Sequence, residues 1–292
     1  MEDISANITQ LREATAKAVV RVSQPETILA VIENRVPKGN VLEMAKVAGL
    51  FGVKNTALNL PNSHPQPIEF TGIEYEIQDL EIRISVKVKS VCKSDLEMEA
   101  MHGASIVALT IYDMLKPIDK GISIDQIKIE EKTGKPKEEN QIQEPIKTAV
   151  VVCSNAVANG IKADSAGQAI LKKLRFQPIQ ITSYILIPDS LEEIRALATR
   201  LSSENQLVIF SGGTGLSSTD VTPEALESLL EKRIPGIEEA IRSYGQSRTP
   251  HAMFSRSLAG TIGDCMVLAL PGSTRGAMES MEAIFPHILH TL

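Results

Sequence analysis

Behind the apolar run Leu207 to Phe210 the chain reads Ser211-Gly-Gly-Thr-Gly-Leu-Ser-Ser-Thr-Asp220-Val-Thr-Pro-Glu224. A strand that empties into glycines, hydroxyls, an acid and a helix start can lay main-chain amides against phosphate oxygens. Gly212, Gly213, Thr214 and Gly215 are the candidates for that cradle, with Thr222 expected as N-cap and Pro223 as the first helical residue. The spacing is not that of a Walker A loop, and the third glycine of a dinucleotide fingerprint is missing. Asp189 and Asp220 flank the cradle, and two carboxylates at the mouth of a phosphate site can hold Mg²⁺ during phosphoryl or nucleotidyl transfer. Taken alone, Asp189 reads equally well as a loop acid or as the cap of a helix starting near Ser190.

A second set of reactive side chains lies earlier. Asp113 and Lys116, three apart at the end of a helical segment, project from one face. They read either as an exposed ion pair or as a partly buried acid orienting an ammonium for proton transfer or phosphate binding. His64 sits in Pro61-Asn62-Ser63-His64-Pro65-Gln66-Pro67, where the prolines restrict the backbone and can aim the ring. Glu97, Met98 and Glu99 precede the helix, where acids ordinarily favour its dipole.

The 292 residues carry 43% hydrophobic content and a net charge of -6, enough core for two soluble domains. No basic run is interleaved with aromatics, and with no Trp, four Tyr and six Phe, platforms for stacked bases are scarce, so nucleic acid is not an expected partner. Cys92, Cys153 and Cys265 form no CxxC pattern, which argues against a disulfide framework, zinc or an iron–sulfur cluster and fits a reducing, cytoplasmic setting. No apolar run approaches membrane-spanning length, and the first residues lack the form of a signal peptide.

The elements that must position these groups follow two grammars. In the first half Ile82, Ile84, Val86 and Val88 alternate with polar residues, and Ile73, Tyr75 and Ile77 do the same, so a hairpin is expected. Helical periodicity is read in the first turns of the chain, around Leu42 to Val53 and from Ala100 to Leu115, with a last strand over Ile122 to Ile129. This predicts an α+β domain whose antiparallel, ferredoxin-like sheet is covered on one face by helices. Between Glu130 and Lys147 the chain turns polar, giving expected domains of 1–136 and 148–292 joined by a linker, 137–147. In the second half short apolar runs at 149–153, 179–186, 207–210 and 266–270 alternate with helical segments, which predicts a three-layer α/β domain with a mainly parallel sheet. Ligands of such sheets bind beyond the carboxyl ends of the strands, here at Ser154, Asp189, Ser211 to Asp220, and Pro271-Gly-Ser273.

Taken together, Ser211-Gly-Gly-Thr-Gly, Asp220-Val-Thr-Pro-Glu-Ala, Pro235-Gly236, Ser255-Arg256, Ala259-Gly260 and Leu270-Pro-Gly-Ser273 resemble the molybdopterin-binding domain of the MoaB/MogA type, over nearly all of Thr148 to Leu292. The resemblance implies a molybdopterin adenylyltransferase using ATP, with Asp189 and Asp220 as its functional acids, Gly212, Gly213, Thr214 and Gly215 as its pterin-phosphate or nucleotide loop, and Ser273 in the same crevice. The same domain occurs in CinA-like proteins, and a pterin or nucleotide carrier without adenylylation is the alternative. Many relatives have an acid where this chain has Asn155.

Met1-Glu-Asp-Ile-Ser, Arg12-Glu-Ala, Lys38-Gly-Asn-Val, Ser63-His64-Pro65, Glu97-Met98-Glu99-Ala and Ala108-Leu-Thr-Ile-Tyr-Asp113-Met114 resemble MoaC, the cyclic pyranopterin monophosphate synthase, from about Met1 to Lys135. This implies rearrangement of a cyclised dihydroguanosine triphosphate to cyclic pyranopterin monophosphate with loss of pyrophosphate. By position Asp113, Lys116 and Lys132 would be catalytic. Arg12, Lys38, Asn62, Ser63, His64, Glu97, Met98 and Glu99 would contact substrate. Both resemblances imply homo-oligomers, hexameric for the synthase and trimeric for the binding domain.

Overall fold

The structure is a computed structural model that describes residues 1–133 and 144–292. The chain divides into two compact units, Met1–Glu138 and Glu139–Leu292.

The first unit runs β1 (Gln10–Arg21), α1 (Pro25–Ile32), α2 (Val41–Lys54), α3 (Thr56–Asn59), β2 (Phe70–Gln78), β3 (Glu81–Cys92), α4 (Glu97–Leu115) and β4 (Ser123–Thr133). The sheet order is β2-β3-β1-β4 with every pair antiparallel, the ferredoxin-like arrangement the sequence predicts. One face, carrying Ala14, Ala16, Ala18, Val20, Ile82, Ile84, Val86 and Val88, is sealed in a core with α2 and α4. The other face is charged: Glu13 reaches Lys87 and Lys89 at 3.1 Å each, and Arg21 reaches Glu81 at 2.6 Å and Asp125 at 2.8 Å.

Two expectations need correction. The start of the chain, read as helical, forms the twelve-residue strand β1. Alanine favours a helix locally, but burial of every second residue against the helices decides for the strand. The residues Glu130 to Thr133, read by composition as the start of the polar segment, are strand. Glu131 to Thr133 pair with β1, with Glu13 opposite Thr133 and Ala14 opposite Lys132, and Glu130 sits at a register shift; a strand with one wet face tolerates a polar end.

The second unit runs β5 (Ile146–Cys153), α5 (Asn155–Ala158), α6 (Ala166–Leu174), β6 (Ile179–Ile187), α7 (Leu191–Ser202), β7 (Leu207–Ser211), α8 (Thr222–Glu227), β8 (Lys232–Arg233), α9 (Pro235–Gln246), a 3₁₀ turn at Pro250–Phe254, β9 (Leu258–Ile262), β10 (Cys265–Leu270) and α10 (Thr274–Ile284). The sheet order is β6-β5-β7-β10-β9-β8, parallel as far as β10 and antiparallel beyond it. Val150, Ile209 and Leu268 face α6, α9 and α10, whereas Val151, Phe210 and Val267 face α7 and α8. Two cores on opposite faces make the three layers that the nearly continuous apolar strands predict.

β5 begins at Ile146, which is buried and paired with Ile179, so the polar stretch assigned to 137–147 ends earlier than its composition indicates. Residues 137–143 of that stretch lie outside the described residues. The helix expected from Thr222 also starts differently, with Val221 as N-cap and Thr222 inside the helix, its hydroxyl making no capping bond. Among the described residues no helix is long and apolar enough to cross a membrane.

Candidate functional site

In the second unit the four expected strand ends converge. The Asn155 amide N–H donates to Asp189 Oδ2 at 3.0 Å and the Asp189 N–H donates to Asn155 Oδ1 at 3.2 Å, which ties the end of β5 to that of β6. The Gly212 N–H donates to Leu270 O at 3.0 Å and Ser211 Oγ donates to Pro271 O at 3.2 Å, which ties β7 to β10. Two cavities open on this edge, one of about 380 Å³ and one of about 140 Å³, and Gly213, Asp220 and Gly272 line both. Asp189 and Gly212 line the smaller, Thr214, Gly215 and Ser273 the larger.

The loop requires its glycines. Gly212 has φ +111° and a Cβ there would stand 2.0 Å from Cys153 O; Gly213 has φ +62° and its Cβ would meet Thr222 Oγ1 at 2.3 Å. Asp220 Oδ2 accepts the Ser217 N–H at 2.8 Å, which closes the loop on itself. The main-chain N–H groups of Gly213, Thr214, Gly215 and Leu216 find no acceptor among the described residues. Asp189 Oδ1 is also buried without a hydrogen bond. Burial first, and the neighbouring Asp220 charge with it, push the Asp189 carboxyl above its usual range, while the Asn155 N–H acts in the opposite sense. Ser273 caps α10, accepting the Gly276 N–H at 3.1 Å.

Side chains with no role assigned from the sequence also reach these cavities. Lys162 and Asp164 line the smaller one, and Arg242, His251 and Arg275 the larger. Asp164 takes the Tyr184 hydroxyl and the Gly167 N–H at 2.9 Å. Arg242 and His251 come from α9 and the turn after it, elements whose place beside the loop nothing in the local sequence announces.

In the first unit the candidates form two groups. Lys38 Nζ donates to Asp113 Oδ2 at 2.7 Å and to Asp113 O at 2.8 Å, and Lys116 Nζ lies 2.7 Å from Asp113 Oδ1. The carboxyl is half exposed, not partly buried as the acid–base reading of the pair required. Hydrogen bonds from Lys116 and then Lys38 hold its pKa down at about 2.

The other group stands at the opposite end of α4. Arg12 NH1 donates to Asp95 Oδ1 at 3.1 Å, and the His64 loop is pinned to the end of β3 by Gln66 Nε2 donating to Ser94 Oγ at 2.5 Å and by Ser90 Oγ donating to Pro67 O. Asn62, Ser63 and His64 are partly or fully exposed in that loop. Glu97 and Met98 start α4, and Glu99 is buried, its Oε2 without a partner and its pKa raised mainly by burial. The Lys132 backbone, opposite Ala14, lies toward this end, and its side chain lies outside the described part of the structure. Asp113 lies fourteen positions beyond Glu99 on α4, about 21 Å at the helical rise. One copy of the chain therefore does not bring Lys38, Asp113 and Lys116 together with Arg12, His64 and Glu99.

Among the described residues no group of three or more His, Cys, Asp or Glu side chains is placed to hold a metal ion. The three cysteines are free and buried, and burial pushes Cys153 and Cys265 up to about 12.

Residues 1–135 match the model of the MoaC family, and residues 149–290 match that of a probable molybdopterin binding domain. A molybdenum cofactor biosynthesis bifunctional protein of Chlorobaculum tepidum is 35% identical over 99% of this chain and 92% of its own length. The chain belongs to the molybdenum cofactor biosynthesis bifunctional proteins. A second member of that family, from Synechococcus elongatus, is 32% identical over 100% of this chain and 96% of its own. The cyclic pyranopterin monophosphate synthase of Geotalea uraniireducens is 41% identical over 46% of this chain and 84% of its own. The bifunctional chain thus joins a MoaC-like cyclic pyranopterin monophosphate synthase domain to a molybdopterin-binding domain of the MoaB/MogA type.

Proposed function

We propose that the second domain adenylylates molybdopterin with ATP, while the first converts a cyclised dihydroguanosine triphosphate to cyclic pyranopterin monophosphate and pyrophosphate. For the adenylyl transfer, the row of unbonded main-chain amides at Gly213 to Leu216, flanked by Asp189 and Asp220, carries the reading. Amides that give up no hydrogen bond within the protein can bind a phosphate without first losing a partner. Mg²⁺ suits this donor set, because it binds one or two carboxylates together with substrate phosphates and needs no cage of protein ligands. Asp189, with its bare buried Oδ1, and Asp220 would hold it. When bound it would offset charge on the phosphates. The chain's own part is to seat the phosphates on the loop, to place the acceptor beside Ser273, and to keep Asp189 oriented through Asn155. Incubation with molybdopterin, ATP and Mg²⁺ should transfer AMP to the pterin and release pyrophosphate; binding without transfer would leave the domain a carrier.

For the synthase reaction the cluster of Lys38, Asp113 and Lys116 supplies the acid–base groups and phosphate ligands. A carboxylate held near pKa 2 stays ionised at working pH, so Asp113 acts as a base or an electrostatic anchor and Lys116 as the proton donor. The distance of about 21 Å along α4 supports a composite site in a homo-oligomer, in which one copy contributes Lys38, Asp113 and Lys116 and its partner the end bearing Arg12, His64 and Glu99. Mixed oligomers of Arg12→Ala and Asp113→Ala, each inactive alone, should then recover about a quarter of wild-type turnover, since random pairing leaves that share of sites intact. No recovery would sink the composite site.

A further inference from the structure

The geometry points to Arg256 as the positioning residue of the adenylylation site: its guanidinium staples the glycine loop from outside and so turns the loop's amides toward the ligand. This rests on the reading of the loop as a phosphate cradle. Arg256 precedes β9 and does not line either cavity. Its Nε donates to Gly215 O at 2.9 Å, its NH2 to Asp220 O at 2.7 Å, its own main-chain N–H to Thr214 O at 3.2 Å, and its NH1 meets Glu224. One side chain therefore holds both ends of the segment from Gly215 to Asp220 and anchors it to the first turn of α8.

The carbonyl of Gly213 is engaged in the same way, accepting the Thr222 N–H at 3.1 Å. The three successive carbonyls of Gly213, Thr214 and Gly215 are thus all bonded within the protein, two of them to Arg256, which lies outside the cavity lining. These peptides are trans. In a trans peptide the N–H points opposite to the C=O, so fixing those three carbonyls fixes the N–H groups of Thr214, Gly215 and Leu216, the first two belonging to residues that line the cavity. Glycines at Gly213 and Gly215 would otherwise leave these peptide planes free to turn, at a cost in loop entropy on binding. Arginine suits the task because its planar fork reaches two carbonyls and a carboxylate at once, which a lysine ammonium cannot do in the same geometry.

The experiment is titration of the full chain with inorganic pyrophosphate, and separately measurement of KM and kcat for ATP in AMP transfer, on wild type, Arg256→Ala, Arg256→Lys and Glu224→Ala, with melting curves for each. Arg256→Ala is expected to weaken pyrophosphate binding by about tenfold or more and to raise KM for ATP, and Glu224→Ala to weaken binding only about twofold to threefold. Wild-type pyrophosphate affinity in a folded Arg256→Ala protein overturns the assignment. Should Arg256→Ala not fold, Arg256→Lys decides: reduced affinity with a native melting curve supports the staple, and wild-type affinity shows that charge alone suffices and overturns it. Failure of the wild-type chain to bind pyrophosphate would instead overturn the reading of the loop as a phosphate site.

Discussion

The synthase domain and the molybdopterin-binding domain assemble their candidate donors for an anion in opposite ways. In the first domain the candidate donors are charged side chains in loops, on a strand and just beyond a helix, standing toward the two ends of α4. In the second they are main-chain amides, with two carboxylates beside them suited to a cation, all on loops that leave the parallel strands at one edge of the sheet. Antiparallel neighbours end at opposite edges of a sheet, whereas parallel strands all end at the same edge. A site at the carboxyl edge of parallel strands is therefore gathered within one chain. Groups spread along a helix of 19 residues are not gathered within one chain, which is why the proposed synthase site draws on a second copy.

The contrast breaks most sharply at Asp113. Asp113→Ala should lower synthase turnover by about 10³-fold, within the usual range for a lost acid–base group. The domain's melting temperature should hardly change, because the ion pairs it loses are exposed. AMP transfer by the same chain should be unaffected, and a parallel fall in both activities would show that the domains are not independent.

Gly213→Ala tests the other mode of assembly. It forces a side chain into a left-handed position and against Thr222, so it should cost about 1 to 3 kcal/mol of stability in the second domain and abolish pyrophosphate binding, leaving synthase turnover intact. A Gly213→Ala protein with native affinity would mean that the amide row does not bind the phosphate.

A smaller effect separates the two carboxylates by pH. Asp113 is held down at about 2, so in the folded chain it stays ionised above that pH, and its favourable contribution is complete above the ordinary carboxylate range and lost only as pH falls through about 2. Asp189 is raised by burial, so the folded state holds its proton more tightly than the unfolded one, and stability falls as pH rises through and above the ordinary range. Asp189→Asn should accordingly raise the melting temperature of the metal-free chain slightly at neutral pH while removing most AMP transfer. Synthase turnover should show no limb assignable to Asp113 above about pH 4.

The smallest change is expected at Glu99. Its raised pKa also makes wild-type stability fall with rising pH, and Glu99→Gln should flatten that dependence by a few degrees at most. Thermal melts between pH 4 and 8 decide it, and parallel curves for the two proteins would mean that Glu99 ionises without penalty.

Much of this was legible in the residues. The hairpin of β2 and β3, the apolar strands of the second domain, the glycine loop and the acids beside it all follow from local periodicity and from residue types with few structural uses. The first strand was not legible, because its alanines satisfy a helix as well as a strand until a sheet partner fixes the period. Thr222 as a cap failed for a related reason: packing carried the helix start back by one residue and left the hydroxyl facing Gly213.

The sequence by itself determined which groups can act: lysines around an acid, a proline-bounded histidine, glycines that tolerate positive φ, and the order of strands and helices that carry them. Only the tertiary structure decided which of these meet. It brought Lys38 to Asp113 across 75 positions of chain and Arg256 to Gly215 across 41, and it held His64 and Asp113 at opposite ends of one helix. Periodicity and residue type are local properties, readable along the chain. Distances between groups remote in sequence are set by how the apolar faces pack, and no local pattern encodes them.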